Sequence, residues 1–154
     1  MKNYVPMLIG IVACLAVGLT AGALQSDAVQ TWYPHLTKSA LTPPDAVFPV
    51  VWTALYVLMG ISIGLIWQDK KTGRGVVTAL FVAQLAANFL WSLVFFTFRS
   101  PAAALVDITL LIGLLALYIR CSMPLNAAGA WLFVPYLIWV AFAWYLNLYI
   151  VFHN

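Results

Sequence analysis

The sequence predicts an all-α integral membrane protein, a single bundle of five transmembrane helices. Three observations predict it. Hydrophobic residues make up 65% of the 154-residue chain and charged residues only 7%, with a mean hydropathy of +1.01, a balance foreign to water-soluble domains. The few charges sit between long apolar intervals: none lies in Asn3 to Ser26, Ala46 to Gln68, Gly75 to Phe98 or Cys121 to Asn154, and Asp107 alone interrupts Ser100 to Ile119. Each interval holds the roughly 20 residues that, at about 1.5 Å per residue, cross about 30 Å of hydrocarbon. The intervals are also continuously apolar, whereas strands of a membrane barrel alternate.

The first helix is placed over residues 5–24. Lys2 ahead of an apolar run and Ala21-Gly22-Ala23 behind it resemble a secretory signal, but the run is too long for one, and Gly18-x-x-x-Gly22 suits close helix packing. Residues 25–45 form the first connection. Helix two covers 46–67, with Asp45 before it and Gly73 after it; helix three covers 76–98. Helix four covers 102–120 with Pro101 in its first turn, and Pro124 and Asn126 divide it from helix five, 127–151. Cys14 falls inside helix one and Cys121 at the end of helix four, so no structural disulfide is expected.

Loop charge sets the expected orientation. Lys2, Lys70, Lys71, Arg74 and Arg120 fall on one side and only Lys38 and Arg99 on the other, which places the N-terminus in the cytoplasm. The connection from Trp32 to Asp45 then faces outward with His35 and His153. The net charge of +3 is a topology signal rather than a nucleic-acid footprint. With no Arg-rich, acid-poor presequence, the expected location is a bacterial inner membrane, multi-pass.

Most catalytic chemistry is poorly supported. The chain has no glutamate, its acids are Asp27, Asp45, Asp69 and Asp107, and it has no phosphate loop, zinc spacing or nucleophile elbow. No metal or cofactor is therefore expected to be required. His35 and His153 are read as interfacial, and Asp107, about two turns into its helix, as stabilised by water, a tyrosine or an amide.

The polar and aromatic residues of the spans are more informative. Gln84, Asn88 and Trp91 share one face of helix three, while Ala79, Ala83, Ala86 and Ala87 form a smooth ridge about 125° away. The ridge serves either a homodimer or packing within the bundle. Gln84 and Asn88 serve either a ligand or interhelical hydrogen bonds. Trp52 and Tyr56 stack at i, i+4, and Pro135, Trp139, Ala143 and Asn147 form a stripe on helix five. Trp32, Trp67 and Trp131 suit an interfacial belt. Trp52, Trp91 and Trp139 suit the interior, where with Asn88 and Ala143 they line a pocket for a flat, largely apolar ligand.

The segments WYPHL and TPPDAVFPVVWTALY, then AQLAANFLWSLVFF in helix three and WLFVPYLIWVAFAWYLN in helix five, resemble in order the TspO/MBR family of tryptophan-rich sensory proteins and mitochondrial translocator proteins. The resemblance implies a five-helix bundle, usually dimeric, that binds porphyrins, sterols and benzodiazepine-type ligands in a pocket capped by the first loop. Carried over by position, it implies a lid at 25–45 with Trp32, Tyr33, Pro43 and Pro44 in the cap, and Trp52, Asn88, Trp91, Trp139 and Ala143 on the pocket wall. It favours the Ala79 to Ala87 ridge as a dimer surface and porphyrin as a ligand rather than a cofactor. For members that degrade protoporphyrin in light, Trp52 and Trp139 are the matching indoles. Two departures stand out. Ser39 and Leu41 replace a proline and a tryptophan of the family's first loop, which predicts a looser cap with one indole fewer. Tyr149 is followed by Ile-Val-Phe-His-Asn, without the basic residue of the animal sterol motif.

Overall fold

The computed structural model describes residues 4–69 and 71–154. Helix α1 runs Val5–Thr31, and a 3₁₀ turn, Tyr33–His35, opens the first loop. Helices α2, Val47–Gln68, and α3, Arg74–Ser92, follow, the latter continuing through a π turn at Leu93–Thr97. Then come α4, Pro101–Ser122, short α5, Ala127–Trp131, and α6, Val134–His153. Five segments are long and apolar enough to cross a membrane, α5 and α6 together making the fifth. The fold is the expected all-helical membrane bundle.

Helix α1 outlasts its expected end at Leu24 by seven residues, ending at Thr31. Gln25, Ser26 and Asp27 end the apolar pattern but not the backbone ladder. The hydroxyls of Ser26 and Thr31 donate to the carbonyls of Ala23 and Asp27, so the extra turns carry their own polar groups. Pro34, which lacks an amide donor, prevents further α-helix and leaves a single 3₁₀ turn. The first connection is accordingly shorter than 25–45 and begins at Trp32. Helix five is likewise broken at Leu132 and Phe133, because Pro135 has no N–H for the carbonyl four residues back. Asn126 caps the short α5, accepting the Gly129 amide at 2.9 Å.

Glycine sets the closest helix approach. A Cβ on Gly60 would run into the backbone of Ile11, one on Gly64 into Met7, and one on Gly10 would lie 2.5 Å from the Gly60 carbonyl. The α1–α2 seam is therefore made by Gly10, Gly60 and Gly64. Of the expected Gly18-x-x-x-Gly22 pair, only Gly18 packs tightly, against the Tyr56 ring, whereas nothing lies within 4 Å of a Cβ on Gly22. Helix α4 packs against α3 and α6.

The two ends of the bundle differ. Near the α2–α3 turn, where Gly73 takes a left-handed φ of 102°, packing is dense. There Tyr118 stacks on Phe133 at 3.9 Å, and Ser62 bridges the Tyr118 hydroxyl at 2.8 Å and the Gly129 carbonyl at 2.7 Å. Cys14 and Cys121 are free thiols. Toward the first loop the helices diverge around a cavity.

Candidate functional site

The cavity holds about 440 Å³, within the roughly 300–1,000 Å³ of small-molecule sites. Helical spacing builds its walls. Phe48, Trp52 and Tyr56 recur every four residues on α2, as do Trp139, Ala143 and Asn147 on α6, so each helix turns one stripe inward. Helix α3 adds Asn88, Trp91 and Ser92, and the π turn adds Phe95 and Phe96. On α1 the small Gly18, Ala21 and Gly22 leave the space open, while Tyr33 and Asp45 lie at the loop end.

Asn88 ties three helices together. Its Oδ1 accepts the Tyr56 hydroxyl at 2.7 Å, and its Nδ2 donates to the Tyr136 oxygen at 2.9 Å, with Asn88 only 3% exposed. Above it the Trp91 indole donates to Asn147 Oδ1 at 3.1 Å, and Asn147 Nδ2 donates to the Pro101 carbonyl at 2.8 Å. Ser92 donates to Gln25 Oε1 at 2.6 Å, joining α3 to the extended end of α1. Facing rings bridge α2 and α6: Phe48 meets Trp139 edge-on at 5.9 Å, and Trp52 meets Tyr136 at 6.1 Å. The Trp139 N–H is buried and has no hydrogen-bond partner among the described residues.

The loop is fastened rather than loose. Tyr33 is buried against Phe95 and Phe96, and burial, with Asp45 adding to it, pushes its phenol up to about 12. Lys38 Nζ donates to the Tyr33 carbonyl at 3.0 Å and lies 4.6 Å from the ring centroid. Thr37 and Asn154 exchange two hydrogen bonds, Thr37 N–H to Asn154 Oδ1 at 2.8 Å and Asn154 Nδ2 to the Thr37 carbonyl at 3.1 Å. Buried Ser39 shares a 3.1 Å hydrogen bond with the Tyr145 hydroxyl and accepts the Leu41 amide at 3.2 Å. Ser39 thus anchors the loop to α6, where a looser cap was expected. Leu41 is exposed and leaves no indole at that position.

Of the residues singled out in the sequence, Tyr33, Trp52, Asn88, Trp91, Trp139 and Ala143 surround this one cavity. Trp32, Pro43 and Pro44 lie outside its lining. Trp32 instead packs edge-on against Phe95 at 5.7 Å. Of the two roles open to Gln84 and Asn88, Asn88 takes the interhelical bonds, whereas Gln84, fully buried, makes no hydrogen bond among the described residues and is not in the cavity lining. Asp107 Oδ2 is buried and meets neither a tyrosine nor an amide among the described residues, which leaves water among the three expected partners. His153 stacks on Tyr149 and contacts that residue's carbonyl. Ala79, Ala83 and Ala86 are exposed along α3, while Ala87 packs on the core. Phe48 and Phe95 add to the predicted lining, each four residues from a cavity tryptophan, and that spacing is the signal that marks them. Gln25, which the sequence places in the first connection, stands instead on the last turns of α1 and so reaches the cavity.

Five spans closed around one aromatic cavity at the loop end define a small multi-pass membrane protein built about an internal pocket. The sequence profile of the TspO/MBR family matches residues 10–153. Tryptophan-rich protein TspO of Chlorobaculum tepidum is 37% identical, covering 95% of this chain and 94% of its own length. The TspO of Archaeoglobus fulgidus is also 37% identical, over 94% of each chain. The Homo sapiens translocator protein is 37% identical over 75% of this chain and 70% of its own. The chain belongs to the TspO/MBR family.

Proposed function

We propose that this protein binds porphyrins and related flat apolar molecules in the cavity below the first loop, as a membrane receptor or translocator for tetrapyrroles. Relatives named translocator protein and tryptophan-rich sensory protein support the receptor or translocator role. The observation that carries the ligand class is the lining itself: Trp52, Trp91 and Trp139 with Phe48 and Phe95 offer flat apolar faces, and few polar groups interrupt them. The loop charges turn the mouth away from the cytoplasm. The exposed Ala79, Ala83 and Ala86 serve a homodimer, in which small residues let helices approach closely. The deciding experiment is titration of the purified protein with protoporphyrin IX, followed by the shift in porphyrin absorbance. Binding that weakens roughly tenfold or more in a Trp52→Phe, Trp139→Phe double variant supports the assignment, given a few kcal/mol for two anchoring indoles. Undiminished binding refutes it.

We propose as a second reading light-dependent oxidative opening of the bound porphyrin with dioxygen as oxidant, for which Trp52 and Trp139 in the cavity wall are the candidate indoles. Illumination in air should then yield a new open-chain tetrapyrrole absorption band. Bleaching no faster than that of free porphyrin would exclude it.

A further inference from the structure

Among the described residues Asp45 is the only charged side chain in the cavity lining, and it stands at the mouth. Every other polar group there is a neutral amide, hydroxyl or indole. Asp45 is exposed, and among the described residues the one ion pair is Arg99 with Asp27, so no cation neutralises Asp45 at contact distance. Lys38, the cation of the same loop, is committed to the Tyr33 carbonyl and ring and is not part of the lining. Asp45 also lies two residues before α2, whose positive N-terminal dipole end would otherwise attract an anionic ligand group. The mouth therefore carries a carboxylate with no cation in contact among the described residues, at the end where the α2 dipole is positive.

We infer that Asp45 is a charge filter: the cavity favours flat apolar ligands that are neutral or cationic at the end facing the mouth and disfavours those presenting a carboxylate there. This rests on the cavity being a ligand site, as proposed above, and refines the ligand class. A tetrapyrrole with free carboxylates must turn them away from Asp45 or bind less well than its ester. Because the mouth is solvated, the effect per charge is modest, roughly two- to fivefold in affinity, and it weakens with salt.

The test uses one flat skeleton with three ends: pyrenecarboxylic acid, its methyl ester and pyrenemethylamine, read by energy transfer from the cavity tryptophans at low and high salt. Protoporphyrin IX and its dimethyl ester are run alongside. In the wild type the amine binds best and the acid worst; Asp45→Asn flattens that order, Asp45→Lys inverts it, and added salt compresses it. An order that survives both substitutions overturns the filter even where porphyrin binds, leaving the porphyrin reading intact. Failure of both porphyrins alongside a charge-ordered pyrene series overturns the porphyrin reading and supports the filter. If no flat aromatic binds, both fall.

Discussion

Replacing Asn88 with leucine tests how far one amide holds the cavity together. The change removes the 2.7 Å bond from Tyr56 and the 2.9 Å bond to Tyr136, separating α2, α3 and α6 at the cavity floor. Interhelical hydrogen bonds within membranes average about 0.6 kcal/mol and reach about 1.7. Two of them give roughly 1–3 kcal/mol, or a shift of about 5- to 150-fold in the folding equilibrium. Both phenols are almost fully buried, so neither recovers its bond from water, and the upper half of that range is expected. The assay is reversible unfolding in mixed micelles for wild type, Asn88→Leu, Tyr56→Phe and the double variant. Because Tyr56 loses its acceptor in the leucine variant, the two changes should be strongly non-additive. Additive effects, or a leucine variant as stable as wild type, would refute the bridging role.

Further outcomes follow from other parts of the structure. The phenol of Tyr33 should ionise near pH 12, seen as the difference between ultraviolet titrations of wild type and Tyr33→Phe. Its folded value lies above the unfolded value of about 10, so the stability it contributes is complete below pH 10 and drains away as pH rises from 10 to 12. Gly60→Val should force α1 from α2 at the cost of about 1–3 kcal/mol, measured by thermal denaturation in detergent, whereas Gly113→Val, where a Cβ meets nothing, should not. Asn154→Ala removes both bonds to Thr37 and should speed amide exchange in residues 36–46 severalfold without lowering protection in α3.

The five spans were legible because hydrocarbon imposes one dominant constraint, continuous apolarity, and the charges mark its limits. The cavity tryptophans were legible for a related reason, since the period-four stripes of α2 and α6, each carrying one indole, had no better use than facing inward. Endings were harder to read. Helix α1 continues past Leu24 on hydroxyls that bond their own backbone, and such local compensation has no signature in hydropathy. Of the close-packing pair Gly18-x-x-x-Gly22 only Gly18 meets a neighbour, the Tyr56 ring of α2, while Gly60 and Gly64 take their meaning from residues some fifty positions away and so carry no local signature. The fastening of the loop was also hidden: Ser39 with Tyr145 and Thr37 with Asn154 are long-range pairs, which a single sequence does not mark.

Gly22 faces the cavity with nothing near the place a side chain would occupy. It therefore acts as an adjustable volume control. Alanine, valine and leucine installed there in turn would fill the chamber by increments while the Gly10–Gly60 seam stays untouched, and each would suit a helix better than glycine does. A graded set of pockets of decreasing size, all on one scaffold, is within reach of a single codon.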